Sequence, residues 1–456
     1  GTASVIPFRI KDTRTVTEPV RFPIEVAPNE FDVKMLRWVQ TSPDGRHVVF
    51  QALGQLYLRD LQSGSVRRLT DRRNEFEFCP SFSRDGRYVV YTTWNDQQLG
   101  SIRITSVANP NDNRPLTIRP GHYKDPVFSP NGLFVVFNKV SGGSLTSPLW
   151  SHEPGIYRAD IDGGQPKLIS KDGSRPLFAA ESDRVFLQRT KSEKEADNLT
   201  LYSVDLSGNE EREHYVSKWA TDYCISADGK QIAFIERFNV YLAPFVNTGG
   251  SIEVGPKCEG IPVRKLSSQA GDWAHFSGDG KQLHWTLGPE LFTAKLSDFA
   301  AKPLDENSNA PDNDKDKAPE AQATSVSIGF KAKHSKPKSS YALVGGRIVT
   351  MANAGIIEDG TIVVEGNRIV AIGPRNTVVI PSDVRVVNVA GQIITPGLID
   401  AHAHGAQASN GMTPQKSWVD YARLAFGVTT IHDPSNNTED IFAASELTKA
   451  GLITAP

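Results

Sequence analysis

The first three hundred residues repeat one short pattern of polar and apolar positions. A serine, a variable residue and an Asp-Gly or Asn-Gly pair are followed by a polar residue and an apolar run, as in residues 42–50. Because glycine accepts the positive φ that a tight primed turn requires, each copy predicts a β-hairpin. Five copies keep the glycine, and the predicted hairpin tips are Gly45, Gly86, Gly132, Gly229 and Gly280.

The spacing of these copies predicts a β-propeller. The glycines are 41, 46, 97 and 51 residues apart, and a degenerate copy at residues 181–187 lies near the middle of the longest gap, which makes six copies. A second pair of strands follows each hairpin, as in residues 55–61 and 65–70. Four strands per repeat of about 40 to 50 residues are typical of a propeller blade.

Residues 37–300 resemble the TolB-like family of β-propellers, whose blades carry the hairpin S-P-D-G-x-x-[IV]-x-[FY]. Since the propeller fold alone names no chemistry, we expect this part to filter substrate or to scaffold an assembly. Residues 1–7 read like the closing strand at residues 163–170. We therefore interpret residues 1–36 as the end of an upstream blade and its lead-in.

Residues 301–338 predict a linker. Residues 305–317 consist of charged and turn-forming residues without an aromatic, and such a segment cannot bury enough apolar surface to order itself. We expect the stretch from Asn307 to Lys317 to be exposed and mobile. Residues 325–330 are the exception, because their alternation predicts a strand that closes the propeller or docks onto the next domain.

The rest of the chain predicts a small β domain and the start of a barrel. Three β signals lie within residues 339–396, and an apolar run then leads through Pro396-Gly397-Leu398-Ile399-Asp400-Ala401 to His402 and His404. From residue 341 to 456 this order resembles the amidohydrolase superfamily of imidazolonepropionase-like and prolidase-like hydrolases. In that superfamily G-x-x-[IV]-x-P-G-[LF]-[IV]-D-x-H-x-H opens a (β/α)₈ TIM barrel. The resemblance implies that residues 397–456 are a truncated barrel.

His402 and His404 are the predicted metal ligands. Alternate residues of a strand point the same way, so Asp400 and both histidines are expected to share one face. Two neutral imidazoles suit zinc or another divalent metal, and we expect one or two ions. Two histidines at this spacing also arise by chance, but their place after Pro-Gly-Leu-Ile-Asp favours the metal. We expect Asp400 to orient an imidazole, and His432 to line the pocket or to lie in a core.

The elements after the histidines are predicted as βαβαβ. Thr413 is expected to cap a helix with Pro414 at its first position. A second strand at residues 428–433 resembles the family's G-V-T-T-[VI]-x-D, and a second helix at residues 438–450 precedes a third strand at residues 452–454. The resemblance implies that the other metal ligands and the Asp that acts as general base lie beyond Pro456. The missing part of the barrel is then expected as further sequence or as a separate chain.

Composition narrows the classes of partner. The chain has 50 Lys and Arg against 52 Asp and Glu, so net charge indicates neither nucleic acid nor an anionic membrane as a partner. It has neither a membrane-spanning apolar run nor a signal peptide at residue 1. The three cysteines form no C-x-x-C pair and leave the compartment open, whereas the family resemblance favours the periplasm or secretion.

These patterns predict a metal-dependent amidohydrolase. It would hydrolyse an amide, peptide or other C–N bond of a small-molecule or peptide substrate with a metal-activated water. One alternative is a non-catalytic, propeller-based binding or scaffold protein with an inactive or incomplete barrel. Another is a propeller-type serine peptidase, which needs a G-x-S-x-G elbow that the sequence after the propeller lacks. The sequence leaves open whether the protein forms a homo-oligomer.

Overall fold

The computed structural model describes residues 25–147, 152–192, 197–299 and 323–456, together with residues 9, 11–15 and 17. The predictions for residues 1–7 and for Asn307 to Lys317 lie outside these residues. Within the described ranges, six sheets follow one another along the chain, each with four antiparallel strands and the fourth with a further strand added in parallel. Neighbouring sheets pack together and the sixth packs against the first, so the sheets form the blades of a β-propeller.

The blades are numbered 1 to 6 in chain order. The strands of blades 1 to 3 are Arg37–Thr41, His47–Ala52, Gln55–Asp60 and Val66–Arg68; Phe76–Phe82, Tyr88–Trp94, Ile102–Ser106 and Asn113–Pro115; and Tyr123–Phe128, Phe134–Lys139, Gly155–Asp160 and Lys167–Ser170. The strands of blades 4 to 6 are Ser174–Leu177, Arg184–Ser192, Asp197–Asp205 and Arg212–Ser217, with Ile252–Glu253 added in parallel; Ala220–Ile225, Gln231–Glu236, Asn239–Pro244 and Arg264–Lys265; and Asp272–Phe276, Gln282–Leu287, Glu290–Lys295 and Thr324–Ser327. A 3₁₀ helix follows the third strand of blade 6 at Leu296–Phe299.

The hydrophobic core lies between neighbouring blades. In blade 1, Val48 and Phe50 belong to an apolar cluster with Val33 and Leu291. Val49, between them, belongs to the cluster shared with blade 2. Since successive residues of a strand face opposite ways, both faces of this strand are buried. That burial explains why the repeat ends in a continuous apolar run and not in alternating apolar and polar residues.

The predicted hairpin tips are confirmed. Gly45, Gly86, Gly132, Gly229 and Gly280 all lie between the first and second strands of a blade, with φ of 67° to 72°. The predicted primed turn is wrong, because a type I′ turn would give Asp44 a positive φ as well, and it has none. The turn is instead held by Ser42, whose carbonyl accepts from Gly45 N at 2.8 Å and whose Oγ accepts from His47 N at 2.9 Å.

Residues 324–333 join the two ends of the propeller. Thr324–Ser327 is the outer strand of blade 6, and Phe330–Lys333 pairs antiparallel with Glu30–Val33. Ile328, between the two strands, is fully buried in the cluster that contains Val33. The strand predicted from the alternation at residues 325–330 is therefore present as two short strands. The predicted domain boundaries stay predictions.

A separate mixed sheet follows. Its strands are Ser340–Val349, Ile356–Glu365, Arg368–Pro374, Arg385–Asn388 and Ile393–Ile394. After it, the parallel strands Leu398–Asp400 and Val428–Ile431 flank helix α1, Trp418–Ala425, and helix α2, Thr438–Lys449, comes last. The described residues thus hold one βαβ unit and a further helix, not a (β/α)₈ barrel. None of the helices in these ranges is long and apolar enough to cross a membrane.

Helix α1 begins later than predicted. Its N-cap is Ser417, so the prediction of a cap at Thr413 with Pro414 in the first turn is wrong. The carboxylate of Asp96, in a loop of blade 2, accepts the backbone N–H of Lys416 at 2.7 Å and that of the residue before it at 3.1 Å. These bonds tie the segment before α1 to the propeller.

The third strand predicted at residues 452–454 is also wrong. Leu452 N donates to Leu447 O at 2.9 Å, which caps α2, and Gly451 has the positive φ of a helix end. Ile453 packs in an apolar cluster with Phe76 and Trp94 of blade 2. Packing against the propeller therefore replaces the expected strand.

Candidate metal centre

His402 and His404 follow the first parallel strand instead of lying in it. The strand ends at Asp400 and the chain turns at residues 401–402, so the prediction of a shared strand face is wrong. The two imidazoles are nevertheless neighbours, with ring centroids 4.8 Å apart and planes at 55°. Both side chains are exposed.

The second parallel strand holds the turn that carries His402. His432 N donates to Asp400 O, and Ala403 N donates to His432 O, both at 2.9 Å. The backbone of His432 therefore holds the chain on either side of His402. The carboxylate of Asp400 accepts the backbone N–H of His402 at 3.2 Å. The roles predicted for Asp400, as a partner of an imidazole, and for the His432 side chain stay predictions.

His404 is held by two residues that the sequence did not indicate. Ser435 Oγ lies 2.9 Å from His404 Nδ1, and Arg423 of α1 donates to His404 O at 2.8 Å. A histidine whose Nδ1 is hydrogen-bonded presents Nε2 to a ligand. The signal for Ser435 was available as the turn-forming run Asp433-Pro434-Ser435-Asn436, directly after the second strand.

The same loop carries a carboxylate near His404. Asp433 accepts the backbone N–H of Ser435 at 3.0 Å and an N–H of the Asn436 amide at 3.1 Å. These bonds, in that order, and the nearby His404 lower the pKa of Asp433 below its usual range. Asn436 also donates to Gly405 O at 2.7 Å. The loop therefore joins the ends of both strands and keeps a negative charge beside the histidines.

The two histidines fit part of a divalent metal site. Neutral imidazole nitrogen is a common ligand of zinc, and these two rings are adjacent and exposed, with that of His404 oriented by Ser435. Within the described residues no group of three or more His, Cys, Asp or Glu side chains could hold a metal. Since a stable zinc site usually has three or four protein ligands, two nitrogens would hold an ion weakly.

The general base has no assigned residue in this chain. The family resemblance implies an Asp and further ligands beyond Pro456, and Pro456 itself belongs to neither a helix nor a strand. Asp433 lies close to the histidines, but its carboxylate is engaged by Ser435 and Asn436. The base expected beyond Pro456 therefore stays a prediction.

Comparison with known proteins finds sequence similarity over only part of the chain. No family model matches the chain. An imidazolonepropionase of Erwinia tasmaniensis is 36% identical over 86 residues, which are 18% of this chain and 21% of that protein. An imidazolonepropionase of Yersinia pseudotuberculosis is 40% identical over the same length and covers the same shares. The chain thus spans about a fifth of the length of the curated relatives that it matches.

Among solved structures, TolB from Acinetobacter baumannii resembles this chain. The two are 18% identical with a TM-score of 0.39, and the alignment covers 58% of this chain and 60% of that one. The assignment of the propeller rests on the order of its sheets and on their packing, not on this likeness.

Proposed function

We propose that this protein is a metal-dependent amidohydrolase, which hydrolyses an amide, peptide or other carbon–nitrogen bond of a small-molecule or peptide substrate. The observation that carries the proposal is the pair of adjacent, exposed imidazoles of His402 and His404 just after the carboxyl end of a parallel strand. Active sites of barrel and open parallel-sheet folds lie at these ends. The partial identity to imidazolonepropionases supports the same class of reaction.

Several described residues have a role in the proposed reaction. His402 and His404 would supply the nitrogens that hold the ion, and Ser435 orients the ring of His404. A divalent ion at this place would lower the pKa of a bound water and polarise the carbonyl of the substrate. Asp433 keeps its negative charge beside His404 and favours a cation there. Residues 397–456 serve as the opening of a (β/α)₈ barrel, and the propeller filters substrate or scaffolds assembly.

The test compares metal content and hydrolysis in the intact protein. The double variant His402→Ala with His404→Ala should lose bound zinc and turnover of N-acyl amino acids and dipeptides, because two of the ligands are gone. Ser435→Ala should weaken zinc binding by about 10- to 100-fold, since the ring loses its orienting partner. Zinc is measured by mass spectrometry after dialysis.

The control is His152→Ala, an exposed histidine of the propeller, which should behave like the wild type. Thermal unfolding checks that the propeller stays folded in every variant. A double variant that keeps a full equivalent of zinc and normal turnover would show that the proposal is wrong.

A further inference from the structure

The propeller encloses a cavity on its axis, which we call the axial cavity. Each blade contributes several residues from the irregular part of its first strand or from next to it, and among them are Trp38, Cys79, Asp125, Arg175, Asp222 and Trp273. Of these six, all but Asp222 have a positive φ, between 47° and 55°. Such conformations are costly for residues other than glycine, and they concentrate at functional sites.

The axial cavity has a volume of about 160 Å³ and different surroundings at its two ends. At the end formed by the hairpin tips, Arg84 of blade 2 donates to the carbonyls of Ala179 and Ala227, which lie beside blades 4 and 5. This side chain therefore crosses the axis. At the opposite end lies the first turn of α2, where Asp440 pairs with Arg37 at 3.3 Å.

One polar group in the wall has no partner. Gln188 lines the cavity and is 1% exposed, and its Nε2 donates to Asp222 Oδ1 and to Tyr223 O, both at 2.9 Å. Both partners of Nε2 are acceptors, so the nitrogen and the oxygen of the side-chain amide cannot be exchanged. Oε1 is therefore the acceptor atom of this amide. Among the described residues this buried Oε1 has no hydrogen bond. A buried acceptor left unpaired is costly, so it indicates a ligand that donates hydrogen bonds.

The charges around the cavity favour a cation. Three charged side chains line the cavity, and these are the carboxylates of Asp125 and Asp222 and the guanidinium of Arg175. Asp222 pairs with Arg175, whereas Asp125 forms no ion pair among the described residues. The excess of negative charge attracts a positive group.

Two indoles complete the wall. The rings of Trp38 and Trp273 have centroids 5.5 Å apart. The guanidinium of Arg37 already lies over Trp38, with Cζ 4.6 Å from the ring centroid. Indole faces stabilise ammonium and guanidinium groups through cation–π attraction. The cavity therefore combines a carboxylate that forms no ion pair among the described residues, an unpaired acceptor and aromatic surface.

We propose that the axial cavity binds one organic cation, an ammonium or guanidinium group on a short aliphatic chain. Asp125 pairs with the charge, Gln188 Oε1 accepts one of its hydrogen bonds, and Trp273 contacts its aliphatic part. The chemistry is that of a basic side chain of a peptide or of a free diamine. This site is separate from His402 and His404, so it stands whether or not the protein hydrolyses C–N bonds.

Calorimetric titration of the whole chain tests the proposal with matched probes. Nα-acetyl-lysine methylamide represents a peptide side chain, cadaverine represents a free diamine, and Nα-acetyl-norleucine methylamide has the lysine shape without the charge. The lysine probe or cadaverine should bind at least about tenfold more tightly than the norleucine probe. Which of the two cations binds better distinguishes a peptide from a free amine.

The key variant is Asp125→Asn. Asparagine tolerates positive φ as well as aspartate does, so the fold is kept while the charge is removed, and affinity for the cation should fall about tenfold. Asp160→Asn, an exposed residue on the same blade, should bind like the wild type. Equal binding of the norleucine probe, unchanged affinity of Asp125→Asn, or no saturable binding of either cation would overturn the proposal.

Discussion

Glu77 is a buried carboxylate that joins blades 1 and 2. Its side chain is fully buried, and it accepts the backbone N–H of Leu56 at 2.9 Å and the hydroxyl of Thr70. Burial raises the pKa of Glu77 to about 7, against the opposing effect of these hydrogen bonds and of nearby arginines. No pattern in the sequence marked this residue, because its burial comes from the contact between two blades.

The raised pKa predicts a pH dependence of stability. In the unfolded chain the carboxyl loses its proton near pH 4.5, whereas in the folded protein it does so near pH 7. Between these values unfolding releases a proton, so Glu77 lowers the free energy of unfolding by about 3 kcal/mol as pH rises from 4.5 to 7. Glu77→Gln should therefore gain stability relative to the wild type over that range.

Urea unfolding at several pH values measures this difference. Taking the variant minus the wild type removes the contribution of buried histidines such as His275, whose pKa is lowered to about 4 by burial. Glu259→Gln, at an exposed position, should show no trend. If the difference in the free energy of unfolding between Glu77→Gln and the wild type did not change with pH, the raised pKa of Glu77 would be contradicted.

Among the secondary-structure elements, helix α2 has both of its ends determined by neighbouring residues. Asn437 is its N-cap, and Oδ1 accepts the backbone N–H groups of Glu439 and Asp440, at 3.0 and 3.2 Å. Gly451 follows its last residues with φ of 71°. The predicted helix at residues 438–450 is confirmed to within one residue, because both of its ends are set by neighbouring residues.

Removing the cap should weaken this helix. Asn437→Ala leaves two N–H groups without an acceptor and should lower the free energy of unfolding by about 1 kcal/mol. Asn437→Ser keeps an acceptor and should recover most of that loss. Denaturant unfolding followed by circular dichroism gives both numbers. The cap has no such role if the serine variant is as unstable as the alanine variant.

At the scale of the whole molecule, Arg37 connects the propeller to the C-terminal segment. Its side chain is 1% exposed. Nε donates to Gln51 Oε1 and Nη1 to Gly411 O, both at 3.0 Å, and Nη1 also pairs with Asp440 at 3.3 Å. Residues 411 and 440 lie far along the chain, so only the packing of α2 on blade 1 brings these groups together.

Asp440→Asn should destabilise the protein strongly. The guanidinium of Arg37 would stay buried without its carboxylate, at a cost of about 3 kcal/mol in the free energy of unfolding. The exposed pair of Asp32 and Lys331, 3.9 Å apart, is the matched control, and Asp32→Asn should change stability by less than about 1 kcal/mol. If Asp440→Asn and Asp32→Asn lowered the free energy of unfolding in guanidinium by the same amount, the prediction for the buried pair of Arg37 and Asp440 would be wrong.

The sequence by itself determined the features that depend on neighbouring residues. The Asp-Gly and Asn-Gly repeat placed Gly45 and its counterparts at hairpin tips and led to six four-stranded sheets, because a turn needs its glycine locally. The tertiary structure decided what depends on distant contacts. Asp96 ties the segment before α1 to the propeller, and the backbone of residue 432 holds both sides of the turn that carries His402. The axial cavity belongs to the same group, since its lining residues come from all six blades and only the closure of the ring brings them together.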